Sequence, residues 1–83
     1  MKITAITFEG INGTTATATK LSGGKEAIQV TFHSSDSEIL VDADSEDQIR
    51  MLADELQERM DGYIGLRETR NEYFSELCRI SDI

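Results

Sequence analysis

The chain has no proline and no tryptophan, one histidine, one cysteine, and half as many basic as acidic side chains. Each shortage excludes something. Without proline there is no proline-rich linker. Cys78 alone cannot close a disulfide within these 83 residues, and no second cysteine or histidine stands at metal-ligand spacing. That usage fits a reducing compartment, so the expected location is the cytoplasm. No apolar run reaches transmembrane length, and "MKITAITFEG" lacks the apolar core of a signal peptide. Eight Lys and Arg against sixteen Asp and Glu leave no basic footprint. Direct binding to nucleic acid or to an anionic membrane is therefore disfavoured.

What is present is acid, concentrated in one place. Residues 36–61 hold ten Asp and Glu against only Arg50 and Arg59. Residues 1–35 are net +1 and residues 62–83 are net −1, so the whole surplus of −8 sits in that central segment. Such asymmetry marks a candidate interaction surface.

The first half patterns as β-structure. "KITAITFE" (2–9) is rich in β-branched and aromatic residues, with Thr4, Ile6 and Phe8 in phase. "GING" (10–13) signals a turn, with Asn12-Gly13 a favoured type I′ pair. "TTATATKL" (14–21) alternates Thr with Ala, and its small side chains suit a strand crossed closely by something bulky. "SGGK" (22–25) marks another turn. "EAIQVTFH" (26–33) places Ile28, Val30 and Phe32 on one face. "SSDS" (34–37) turns the chain again before a short strand, "EILVD" (38–42).

The second half patterns as helix. Ser45 and Gln48 fit a capping box, with Glu46 and Asp47 placed where the helix dipole favours acid. Ile49, Leu52, Ala53, Leu56 and Met60 make one apolar stripe, and Gly62 is a natural stop. After "YIG" (63–65) a second helix buries Leu66, Tyr73, Phe74, Leu77 and Ile80. These patterns predict one α+β domain over 1–83. It is a two-layer sandwich with an antiparallel sheet of about four strands (2–9, 14–21, 26–33, 38–42) packed by two helices (46–61, 66–80).

Motifs for chemistry do not survive inspection. "DADSED" (42–47) spaces acids like a calcium loop, but Asp47 stands where that loop requires glycine and Ala53 where it requires glutamate. "SGGK" lacks the P-loop spacing and precedes a strand. His33 neighbours Ser34, Ser35 and Asp36, yet sequence neighbours at a turn rarely converge as a triad, and turn chemistry explains them. Cys78 reads as a small filler on the flank of the second helix. No enzyme, metal or cofactor is expected.

The remaining oddity is the first helix. Opposite its apolar stripe lie Asp47, Asp54, Glu58 and Asp61, with Glu55 widening the patch and Met51 beside it. Acids at i, i+4 repel by a few tenths of a kcal/mol, and too few bases are interleaved to offset this. Charge runs are usually solvated faces. A row of carboxylates about 5–6 Å apart also resembles the phosphates of a nucleic-acid strand. Asp42 and Asp44 extend the patch, giving eight candidate partner-binding residues with Met51, Glu55 and the four above.

The stretch "ILVDADSEDQIRMLADEL" resembles small acidic phage-encoded anti-CRISPR proteins. Its marks are a strand ending in Asp42-Ala43-Asp44 and a capped acidic helix carrying Ile49, Ala53, Asp54 and Leu56. The resemblance covers about a fifth to a quarter of the chain. It implies a non-enzymatic inhibitor in a bacterial host cell, competing with DNA or RNA for a basic nucleic-acid-binding protein or ribonucleoprotein complex such as a CRISPR effector. The alternative is a small adaptor that self-associates as a homodimer, through the 14–21 strand as a free edge or through the outer sheet face.

Overall fold

A computed structural model of the chain describes residues 4–10, 13–21, 26–61 and 67–81. Four strands form one antiparallel meander in chain order: β1 (Ala5–Glu9), β2 (Thr15–Leu21), β3 (Ala27–Phe32) and β4 (Ser37–Asp42). Two helices follow, α1 (Glu46–Leu56) and α2 (Arg67–Ile80). The expected α+β sandwich is therefore what the sequence builds. Every expected strand and helix is present, with small differences at the ends. The expected turns at 22–25 and 63–65, the pairing partner Asn12, Leu66 and the stop at Gly62 lie outside the described residues.

Period-two alternation decides which face of the sheet is dry. Phe8, Ala16, Ala18, Ile28, Val30, Phe32 and Val41 point inward and are buried. Thr4, in phase with them, is exposed. The helices cover this inner face with Ile49, Leu52, Ala53, Leu56, Met60, Tyr73, Leu77 and Ile80, which join the strands in one core. α2 lies against β1 and β2, and α1 lies against β4 and α2. Ala16 and Ala18 are fully buried beneath that layer, where the small side chain lets a helix approach. β2 is flanked by β1 and β3, so it is not a free edge. The edges are β1 and β4. The outer sheet face carries Thr7, Thr17, Thr31 and Glu38 in one cross-strand row and Ala5, Thr19, Gln29 and Leu40 in the next.

Glycine is required at one close approach. A Cβ on Gly10 would lie 2.3 Å from the Met60 carbonyl oxygen and 2.7 Å from Thr14 Oγ1. Thr14 Oγ1 itself donates to that carbonyl at 3.3 Å, which ties the first hairpin to the end of the first helical segment.

α1 does not end where its sequence pattern does. Gln57–Asp61 continues it as a π-helical turn. Pairing at i→i+5 adds one residue to the turn and changes which side chains face in. At 100° per residue, Asp61 would stand about 140° from Leu56, on the solvent side. Instead the wider turn brings Asp61 round toward the core, where it is 5% exposed. Tyr73 of α2 donates its hydroxyl to Asp61 Oδ2 at 2.5 Å. Met60 stays buried as well.

Candidate partner-binding face

The junction between β4 and α1 is built from its acids. Asp42 Oδ1 accepts from Asp44 N at 2.8 Å, a local turn that redirects the chain off the sheet. Ser45 is the N-cap, in extended conformation, and its hydroxyl accepts from Gln48 N at 3.3 Å. Gln48 reaches back as a capping-box residue should, but past the cap, accepting from Asp42 N at 2.6 Å. The Asp42 carboxylate thus has a structural job, as the strand-end reading of "DADSED" implies, while Asp44 contributes its backbone N–H. Among the described residues no group of three or more His, Cys, Asp or Glu could hold a metal ion.

From this cap α1 presents Asp47, Met51 and Asp54 to solvent, with Met51 50% exposed, and the π-turn adds Glu58. Glu55 is half-buried at their flank. Of the eight residues expected on this face, Asp44, Asp47, Met51, Asp54 and Glu58 are exposed and Asp42 and Glu55 half-buried, and one is a correction. Asp61 is not on it, because the π-turn carries that carboxylate into the core beside Tyr73. A buried group held from within cannot meet a partner.

The acids are also better compensated than the sequence of α1 suggests. Arg50 pairs with Glu46 and Arg59 with Glu55, each at 3.0 Å and one helical turn apart. Arg70 crosses from α2 to Asp54 at 3.4 Å. Helix-helix packing brings Arg70 in, and only the antiparallel placement of two helices could have signalled it. Both arginines of the central segment are held over rings: Arg50 lies 4.4 Å from the centre of Phe74 and Arg59 4.6 Å from that of Phe32. Arg59 also donates to Ser37 Oγ at 2.6 Å. These pairs are solvent-exposed and worth at most about 1 kcal/mol each. They leave Asp54 exposed.

Elsewhere, polar side chains pair locally. His33 Nε2 lies 2.8 Å from Thr17 Oγ1 across the strand, and Ser35 pairs with Ser37 at 2.9 Å. Cys78 is half-buried, and burial, with Glu46 nearby, pushes its thiol above the ordinary range. A raised thiol is a poor nucleophile. Lys20, inward on β2, is buried and paired with Glu26 at 3.3 Å.

Sequence reasoning missed two exposed apolar residues on the outer sheet face, Leu21 of β2 and, 64% exposed, Leu40 of β4. Ile39-Leu40-Val41 is apolar throughout, so the sequence alone carried no signal for which of them faces out. No helix among the described residues is long and apolar enough to cross a membrane. Comparison with family models, curated proteins and solved structures finds no match for this chain.

Proposed function

We propose that the chain is a non-enzymatic inhibitor of the anti-CRISPR kind. In this reading its acidic α1 face occupies a basic groove on a nucleic-acid-binding protein or ribonucleoprotein complex and competes there with DNA or RNA. One observation carries the reading. Asp47, Asp54 and Glu58 stand exposed along one helix with Met51 among them, while the apolar stripe of that helix is fully used in the core. The acids would speed encounter and select basic partners, and Met51 supplies a dry contact within the charged row. Asp42, Asp44 and Glu55 border the surface. Asp61 is left out of it.

The test is capture from a bacterial lysate by immobilised chain, at low and high salt, with and without added duplex DNA. The reading expects a basic prey that salt releases and nucleic acid displaces. Charge reversal, Asp54→Lys with Glu58→Lys, should abolish capture. Undiminished capture by that variant would sink the proposal.

A second reading is self-association through the outer sheet face, favoured by the exposure of Leu21 and Leu40 there, 40% and 64%. Light scattering on a sizing column separates the two. A dimer that survives high salt and is split by Leu40→Asp supports the second, and a strict monomer removes it.

A further inference from the structure

The far end of β4 holds a recess of about 300 Å³, lined by Glu26, Ala27, Leu40, Val41, Asp42 and Gln48. The strand register explains why it is there. Ala27 pairs with Asp42, and Gln29 with Leu40, so a small alanine of β3 lies diagonally beside a large leucine of the edge strand β4, both on the outer sheet face. Gln48 reaches this edge from α1, fixed by its bond to Asp42 N. The lining joins three apolar residues to two carboxylates and one amide.

The two carboxylates are preorganised. Asp42 is held by Asp44 N through Oδ1. Glu26 is held through Oε2 by Lys20, whose side chain is 4% exposed. Among the described residues no cation lines the recess itself. A ligand suited to this shape needs an apolar stem to lie along Leu40 and a spread of N–H donors for acceptors on more than one side. An arginine side chain has both, because its methylenes pack while its planar guanidinium offers five donors. Lysine shares the stem but concentrates its charge at a point. The volume lies at the lower limit of small-molecule pockets, which fits one side chain better than a larger ligand.

We propose that this recess is an anchor pocket for one arginine side chain of a basic protein partner. The inference rests on the reading that the partner is basic, and it adds where that partner is gripped. Charge complementarity chooses the occupant. A second copy of this chain would bring a net charge of −8 to an acidic lining.

The test is a titration of the ¹⁵N-labelled chain with N-acetyl-arginine methylamide, followed by amide shifts, with the lysine and norleucine analogues alongside. The expected result is saturable shifts confined to Ala27, Leu40 to Asp42 and Gln48, strongest for arginine and weakest for norleucine. Leu40→Ala and Asp42→Asn should each weaken the arginine probe about threefold, a change of about 0.7 kcal/mol. The asparagine amide retains an oxygen to hold Asp44 N, so that variant tests charge and not the turn. Glu9→Gln, on the opposite edge strand β1, should leave the probe's affinity unchanged. Absent shifts, shifts spread along α1, or norleucine matching arginine would each overturn the pocket. So would shifts that follow protein concentration without probe, since a second copy would then be the occupant. Because no partner is present, arginine binding that persists while lysate capture fails sinks only the inhibitor reading. The converse sinks only the pocket.

Discussion

Replacing Tyr73 by Phe should destabilise the protein by about 1.5–3 kcal/mol, because it removes a donor from a charged acceptor and leaves the ring in place. The acceptor is Asp61, 5% exposed at the end of the π-turn. The ring's edge-on contact with Phe8, 5.5 Å between centres, is open to phenylalanine as well, so the loss isolates the hydroxyl. A chain of this length has about 4–12 kcal/mol of stability in total. A loss of about 2 kcal/mol would lower the melting temperature by about 8–16 °C. pH adds a second signature. Burial, then the bond to Asp61 and the charges of Asp61 and Glu72, push the Tyr73 phenol well above its ordinary value. The folded state therefore holds this proton more tightly than the unfolded chain does. The associated stability is complete below about pH 10, the unfolded value, and drains above it at about 1.4 kcal/mol per pH unit. The phenylalanine variant has no proton to lose there. Urea unfolding followed by circular dichroism at pH 8 and pH 11 should show the gap between the two proteins shrinking by about 1.4 kcal/mol. Other groups that titrate in this range are common to both proteins and cancel in the difference. A variant within about 0.5 kcal/mol of the parent at pH 8, the scatter of neutral surface changes, would refute the reasoning. So would a gap that does not move with pH.

Gly10→Ala should cost about 2 kcal/mol or more in urea unfolding, because its Cβ would meet the Met60 carbonyl at 2.3 Å. Gly13→Ala, at φ +83° with open space around it, should cost only the left-handed penalty of about 1–2 kcal/mol; a milder effect at Gly10 than at Gly13 would refute the close approach. Deleting Gln57 should be tolerated with α1 continuing as regular α-helix, since Met60 and Asp61 would then fall about 60° and 40° from Leu56, still inward. Arg59 would leave Phe32 and Ser37, so a loss of about 1–2 kcal/mol is expected, and failure to fold would show that the π-turn is indispensable.

The architecture was legible because its signals are local. Ile28, Val30 and Phe32 alternate without interruption, and Ser45 announces α1 within one residue of its start. The small side chains of Ala16 and Ala18 implied a close crossing, which α2 supplies. What was not legible depends on tertiary partners. Nothing in Gln57-Glu58-Arg59-Met60-Asp61 opposes an α-helix by propensity. The π-turn is accompanied by two contacts from distant segments, Tyr73 on Asp61 and Thr14 on the Met60 carbonyl. The same holds for Arg70 on Asp54, which needs the helix pair to exist first. Leu40 hid for a different reason. Ile39-Leu40-Val41 is apolar throughout, so its parity is undefined until β3 fixes the register.

The pairings of the acidic face bear on the functional reading less than they first suggest. A carboxylate with a local partner is not thereby spent. Arg70 and Asp54 are 43% and 58% exposed at 3.4 Å, a geometry in which solvent already screens most of the attraction. A partner's guanidinium could replace Arg70 at little cost, and Arg70 would then be released to water. The pair at Arg59 and Glu55 is different, because Arg59 is also anchored on Phe32 and Ser37. Breaking it would strand a fixed cation at the edge of the interface. The face therefore divides by exchangeability. In the proposed reading Asp54 is the exchangeable carboxylate, whereas Glu55 is tied to an anchored Arg59. Asp61 lies beyond this division altogether, since the turn that buries it also removes the one carboxylate that would have extended the row past Glu58.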